Sequence, residues 1–185
     1  MIFSKLFKTN PMFDDEVQAL YIATVKQSRT PKFYLDLEVA DTVEGRFDMI
    51  ILHIFFVMRR LKAGGEKTEL FSQALFDLLF MDMDQNLREL GVGDMGLARR
   101  VPKMAEAFYG RITAYEEGLS IIDDEDTTLK DALDRNLYRK TIASDESLQA
   151  MAQYLRKECN AVDKMDMGIL LKGQITFGEP PLKKS

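Results

Sequence analysis

The sequence predicts an all-α fold: a single compact domain of about six or seven helices around a buried central helix near residues 42–62, with no sheet. Three observations carry this. Apolar residues return in steps of three and four along most of the chain, as in Val101, Ala105, Phe108, Ile112, Tyr115 and Leu119. No segment shows the two-residue alternation of a half-buried strand. The breaks fall at helix-stop chemistry, Gly64-Gly65 and Leu90-Gly91-Val92-Gly93-Asp94.

Residues 1–12 read as a flexible N-terminal segment, 13–163 as the helical domain and 164–185 as a C-terminal tail, unpacked from Gly168 to Gly178-Glu179-Pro180-Pro181. In the first helix Asp14 is a candidate cap, Asp15 and Glu16 suit the positive helix end, and Phe13, Val17, Leu20, Tyr21 and Val25 form a stripe. Pro31 ends it, and a short turn around Phe33, Tyr34 and Leu37 follows. Asp41 with Glu44 has capping-box spacing and is expected to launch the central helix, which Gly64-Gly65 stops. The next helix, about 66–90, turns Phe76, Leu79, Phe80, Met83, Leu87 and Leu90 inward. Gly91 is the natural left-handed stop and Asp94 the expected cap of the following helix. Pro102 inside that helix is expected to kink or restart it, because proline lacks the amide donor. Gly110, poor in intrinsic propensity, is expected to mark a close helix crossing. An acidic connector at 120–126 leads to helices near 127–139 and 145–162.

The 185 residues are 46% hydrophobic and 30% charged, the balance of a folded globular chain with one core. A formal charge of −5 disfavours non-specific binding to nucleic acid, which needs a net positive surface. The lone Cys159 excludes an intramolecular disulfide and fits a reducing cytoplasm. It shares one helical stripe with Leu148, Ala152, Leu155 and Val162, which reads as a buried small hydrophobe. The longest apolar run, Met49 to Met58, is too short to span a bilayer, which takes roughly 20 residues. Met1 to Lys8 sets Ile2, Phe3, Leu6 and Phe7 among lysines; it is either a loose terminus or a weak foot on a membrane surface.

Little in the chain reads as catalytic. His53, the only histidine, lies among Met49, Ile50, Phe56 and Val57 and reads as a buried, hydrogen-bonded side chain. A di-iron motif would need a glutamate three residues earlier, where Ile50 stands. Asp77, Met81, Asp84 and Arg88 recur at four, three and four and share one helix face. That face can recognise a partner, and Asp77, Asp82 and Asp84 leave hard-cation binding open. Arg99, Arg100 and Lys103 form a basic cluster suited to phosphate, anionic lipid or plain solvation. The turn at Gly91-Val92-Gly93 lacks the lysine-serine continuation of a nucleotide loop. Among eleven methionines, Met12, Met81, Met95, Met165 and Met167 are those free to face solvent, where flexible thioethers accept varied apolar partners.

The wording of several blocks carries a resemblance: Gly45-Arg46-Phe47-Asp48-Met49, Phe76-Asp77-Leu78-Leu79-Phe80, Met83-Asp84, Leu87 to Asp94, and Met104-Ala105-Glu106-Ala107-Phe108-Tyr109-Gly110-Arg111. In this order they resemble the assembly chaperones of ubiquinol–cytochrome c reductase, over roughly two thirds of the chain. The resemblance implies an all-α domain without cofactor or catalysis, acting in biogenesis of the cytochrome bc1 complex on newly made cytochrome b or an assembly intermediate. In mitochondrial relatives it also implies a small partner protein and contact with the ribosome. The absence of an Arg- and Ser-rich leader here implies a bacterial member in the cytoplasm, with peripheral contact at the inner membrane face through residues 1–8 as an option. Positions to test for partner binding are Arg46, Asp48, Asp77, Asp84, Arg88, Arg99, Arg100, Tyr109 and Arg111. The rival readings are a peripheral membrane or protein adaptor, and a metal-dependent hydrolase using the aspartate face.

Overall fold

In the computed structural model, which describes residues 14–123 and 125–182, the elements follow as α1 (Asp14–Ser28), α2 (Lys32–Leu35), α3 (Val43–Lys62), α4 (Glu66–Glu89), α5 (Asp94–Ser120), α6 (Thr127–Asn136), α7 (Asp145–Asp163) and α8 (Met167–Leu170). Two of these, α2 and α8, are single turns, and no strand occurs among the described residues. The expected all-α class and helical spans are found. Residues 1–12 and Phe13, including the lysine-flanked foot, lie outside the described residues.

The helix ends follow local chemistry, with two corrections. Thr42, not Asp41, caps α3: its extended backbone lets Oγ1 accept from the Gly45 amide at 3.1 Å. Asp41 instead accepts from Arg46 Nε at 2.6 Å. Gly91 stops α4 at φ +83°, where its amide donates to Arg88 and the Val92 amide to Leu87, closing a Schellman motif. Asp94 caps nothing; Gly93 holds the cap position of α5, and the Asp94 carboxylate accepts from Arg88. Nor does Pro102 restart α5, which runs from 94 to 120 without interruption. Pro102 and Ala98 both lie on the solvent face, where water can replace the missing donor. The close crossing expected at Gly110 occurs two turns later. A Cβ on Gly110 would meet nothing within 4 Å, whereas one on Gly118 would stand 2.8 Å from Leu129 Cα. That glycine lets α5 and α6 pack backbone against backbone.

The central helix α3 is the spine: every residue from Asp48 to Val57 is buried. Met49, Leu52, Phe55 and Phe56 face a cluster built with Phe33, Tyr115, Leu133 and the inner stripe of α7. Ile50, Ile51, Ile54, Val57 and Leu61 face a second cluster with Val17, Leu20, Phe71, Leu79 and Phe108. A helix apolar all round is stable only if neighbours cover it on every side, and α1, α4, α5, α6 and α7 do so here. Cys159 lies in the first cluster, where burial pushes its thiol far above the ordinary range, as its stripe foretold.

The C-terminal residues are packed, contrary to the unpacked tail read from the sequence. Arg60 donates to Met165 O at 2.9 and 3.0 Å, and Met165 and Met167 pack against the second cluster instead of facing solvent. Ile175 and Phe177 touch both clusters, and Phe177 sets its ring 5.4 Å from His53. Gln27 Nε2 donates to Gly178 O at 2.8 Å, and the Gly178 amide donates to Glu158 at 2.9 Å. The proline- and glycine-rich wording signals irregular backbone, but the apolar packing of Ile175 and Phe177 together with these hydrogen bonds fixes it.

His53 is fully buried and, as expected, fully bonded. Met49 O can only accept, so Nδ1 carries the proton across their 2.9 Å contact. Nε2 then accepts from Tyr154 Oη at 2.9 Å, and Tyr154 in turn accepts from Gln27 at 3.0 Å. Burial pulls the imidazole pKa down to about 4, with the Met49 carbonyl opposing. The unfolded chain binds this proton from about pH 6.5 downward and the folded one does not, so the contribution is complete above 6.5 and is lost as pH falls toward 4. Comparing denaturant stability of wild type and His53→Gln between pH 7.5 and 4, the gap is expected to shrink by roughly 3 kcal/mol on acidification. A pH-independent gap would show that His53 is not held neutral.

Candidate functional site

A groove of about 560 Å3 opens between the second half of α3, the first half of α4 and the second half of α5. Phe55, Met58, Leu61, Phe76, Tyr109 and Ile112 give it an apolar lining, and Lys62, Glu69, Gln73, Thr113 and Glu116 form its polar rim. Phe76 and Phe80, one turn apart on α4, lie 4.5 Å between ring centres. Tyr109 from α5 stacks on Phe76 at 5.7 Å and 27°, while Phe108 meets Phe76 edge-on at 5.4 Å. Tyr109 is thereby held flat yet remains 56% exposed. A large ring fixed by its neighbours loses little entropy on capture, which suits it to binding. Met58 adds an adaptable thioether that accepts a weak hydrogen bond from Ser72 Oγ at 3.3 Å.

A second, polar pocket of about 310 Å3 adjoins the groove and shares Arg59, Lys62 and Glu116 with it; Arg60, Ala63 and Asp163 complete its wall. Arg59 pairs with Glu116 and, at 3.2 Å, with Asp163, tying α3 to α5 and α7.

The sequence-predicted positions do not form one face. Tyr109 lines the groove, and Asp77 lies beside it, accepting from the rim residue Gln73 at 2.8 Å. Burial pushes the Asp77 carboxyl up, against the pull of that bond. Asp84 and Arg88 pair at 2.6 Å, and Arg88 reaches Asp94 at 2.7 Å. Arg46 pairs with Asp41 at the start of α3. Arg99 and Arg100 stand exposed on α5 without an ion pair among the described residues.

Asp48 and Arg111 are internal. The Asp48 carboxylate accepts from Arg111 Nη2 and Arg139 Nε, each at 2.8 Å, and is 1% exposed. Burial raises its pKa, while both guanidinium groups pull the other way. Neither Asp48 nor Arg111 offers a surface to a partner; with Arg139 they brace α3, α5 and the turn just beyond α6. Sequence reading missed Arg139, because nothing local distinguishes it from a solvated helix end. It also missed Lys62 as a groove residue, reading it only as the last turn of α3.

Tyr21 Oη donates to Asp82 at 2.7 Å, so Asp77, Asp82 and Asp84 have three separate partners. Among the described residues no three His, Cys, Asp or Glu side chains come together as a metal-ligand set. The arrangement offers an apolar, aromatic-walled groove with a charged end.

Replacing Asp48 by Asn leaves Arg111 buried beside a neutral group, which costs about 3–5 kcal/mol in comparable buried pairs. Urea unfolding at pH 7 should show that loss for Asp48→Asn and little change for Asp41→Asn. Equal behaviour of the two variants would refute the internal brace.

The ubiquinol-cytochrome C chaperone family model matches residues 35–177. The mouse ubiquinol-cytochrome c reductase complex assembly factor 1 is 25% identical over 159 residues, covering 85% of this chain and 53% of that protein. The Xenopus laevis protein of that name is 27% identical, with 85% and 78% covered. Protein CBP3, mitochondrial, of Saccharomyces cerevisiae is 28% identical over 162 residues, with 84% and 47% covered. The chain thus spans about half the length of the mouse and yeast relatives. The crystal structure of the Cbp3 homolog from Brucella abortus superposes with a TM-score of 0.81 at 30% identity, covering 97% of each chain.

Proposed function

We propose, from the premise that the chain belongs to the ubiquinol-cytochrome C chaperone family, that it is a non-catalytic assembly chaperone of the cytochrome bc1 complex. It holds newly made cytochrome b, or an intermediate containing it, by an apolar helix laid into the α3–α4–α5 groove. The single observation that supports this most is the Tyr109 ring, fixed on Phe76 and yet more than half exposed at the groove wall. What sets this ring apart from the other exposed residues of α5 is its place, stacked on Phe76 at the wall of an apolar groove that a partner could cover. Helix-in-groove capture needs no bond to be made or broken, and release follows when the client finds its own partners. No helix among the described residues is long and apolar enough to cross a membrane. In this reading the protein meets its client from the cytoplasmic side, at the inner membrane face.

Expression of Tyr109→Asp in a strain deleted for this protein tests the reading. The deletion is expected to lose the b- and c1-haem absorbance of the bc1 complex and wild type to restore it. Tyr109→Asp should fold normally, bind client roughly tenfold more weakly and restore only part of the absorbance at low expression. A deletion strain with a normal spectrum would refute the role; full restoration by Tyr109→Asp would remove the groove from it.

A further inference from the structure

The apolar groove does not stand alone, and its polar neighbour narrows what can occupy it. The two pockets are contiguous through Arg59, Lys62 and Glu116. Three cations, Arg59, Arg60 and Lys62, face two carboxylates, Glu116 and Asp163, in the polar pocket. Their commitments differ. Arg59 is taken up by both carboxylates, and Arg60 donates twice to the Met165 carbonyl, which leaves its charge uncompensated. Lys62 is exposed and makes no ion pair or side-chain hydrogen bond among the described residues. Cations in the last turn of α3 answer the negative end of its dipole, but that partial charge is worth only about half an elementary charge. With Glu69 on the groove rim the joined lining carries three cations and three carboxylates, so the opening for an acid is local: Arg60 and Lys62 are the two cations there without a carboxylate partner among the described residues.

We infer that the segment held in the groove carries an acidic side chain, Asp or Glu, about one turn beyond its apolar face, and that this carboxylate enters the pocket at the end of α3 to meet Lys62 and Arg60. The inference rests on the proposed capture of an apolar helix and specifies its chemistry. An apolar helix without the acid would fill the groove and leave Lys62 unanswered. One ending in a lysine would bring like charge to the pocket, and such a mismatch discriminates between partners more strongly than a missing contact does. The groove selects for burial and the pocket for charge and for direction, because only one orientation of the helix brings its acid to α3.

Fluorescent helical peptides bound to the full chain provide the test. Three C-terminally amidated peptides share a leucine-phenylalanine face and end, one turn later, in Glu, Gln or Lys. At low salt the Glu peptide is expected to bind roughly threefold to tenfold tighter than the Gln peptide, the Lys peptide weakest, and the differences should shrink as salt screens them. Lys62→Gln should erase most of the Glu preference and Lys62→Glu should turn it toward the Lys peptide; Lys62 is exposed, so neither change threatens the fold. Tyr109→Asp should weaken all three peptides. Equal affinity for Glu and Gln peptides, a preference that survives Lys62→Glu, or no binding by any peptide would overturn the inference. So would tight binding confined to a free-acid Gln peptide, which would assign the pocket to a chain terminus. Apolar peptides that bind without acid preference, in a protein whose deletion abolishes the bc1 complex, would defeat this inference alone and leave the chaperone reading standing.

Discussion

A twenty-residue helix buried without a break from Asp48 to Val57 must satisfy every polar side chain it carries there, and α3 carries two. Asp48 is answered by Arg111 and Arg139, and His53 by Tyr154 and the carbonyl of Met49. These partners come from α5, from just beyond α6, and from α7. The register of the neighbouring helices against the spine is therefore set by hydrogen bonds that cannot slide, where apolar packing alone would tolerate a shift. Gln27 extends the same network to α1 and, through Gly178, to the C-terminal residues. Phe177 covers His53, which keeps water away from the network and the imidazole neutral.

The outer groove is a consequence of that arrangement. Where α3 ends, its cover thins: Phe55, Met58 and Leu61 remain the floor, while α4 and α5 contribute one wall each. The antiparallel turn at Gly91 brings Phe76 and Tyr109 together, and their stack hardens the wall without closing it. In the proposed function, rigid helices and fixed rings suit a groove that accepts an apolar segment and later releases it. Rigidity limits the ordering cost, and a groove of this size limits the grip. The polar residues around it are bound to one another or left open to solvent, with no cluster able to hold a metal among the described residues.

Much of the fold was legible because its signals are local. The three- and four-residue steps gave the inner stripes, Gly91 gave the end of α4, and the apolar run from Met49 to Met58 gave the spine. What escaped depends on particular side-chain contacts, some local and some long-range, that periodicity does not show. Asp41 and Thr42 are equally good caps on paper, and only the arginine at 46 decides between them by taking Asp41. Gly110 and Gly118 look alike in sequence, yet only Gly118 meets another backbone, that of Leu129. The C-terminal residues read as loose because irregular backbone hides the packing of Ile175 and Phe177 against helices far away in the chain. The quoted family wording takes in the groove residues Phe76 and Tyr109 and equally the internal pair Asp48 and Arg111, since such wording does not separate surface positions from packed ones. Lys62 lay outside every motif, and its meaning comes only from the pocket beside it.

Photocrosslinking in living cells tests the central claim most directly. An ultraviolet-activated amino acid placed at position 109 is set against one at position 142, where Ile142 is 99% exposed and far in sequence from the groove. The groove account requires adducts with a bc1 subunit from position 109 while the complex is being made, and none from position 142. Adducts from 142 with nothing from 109 would place the binding surface elsewhere and contradict it.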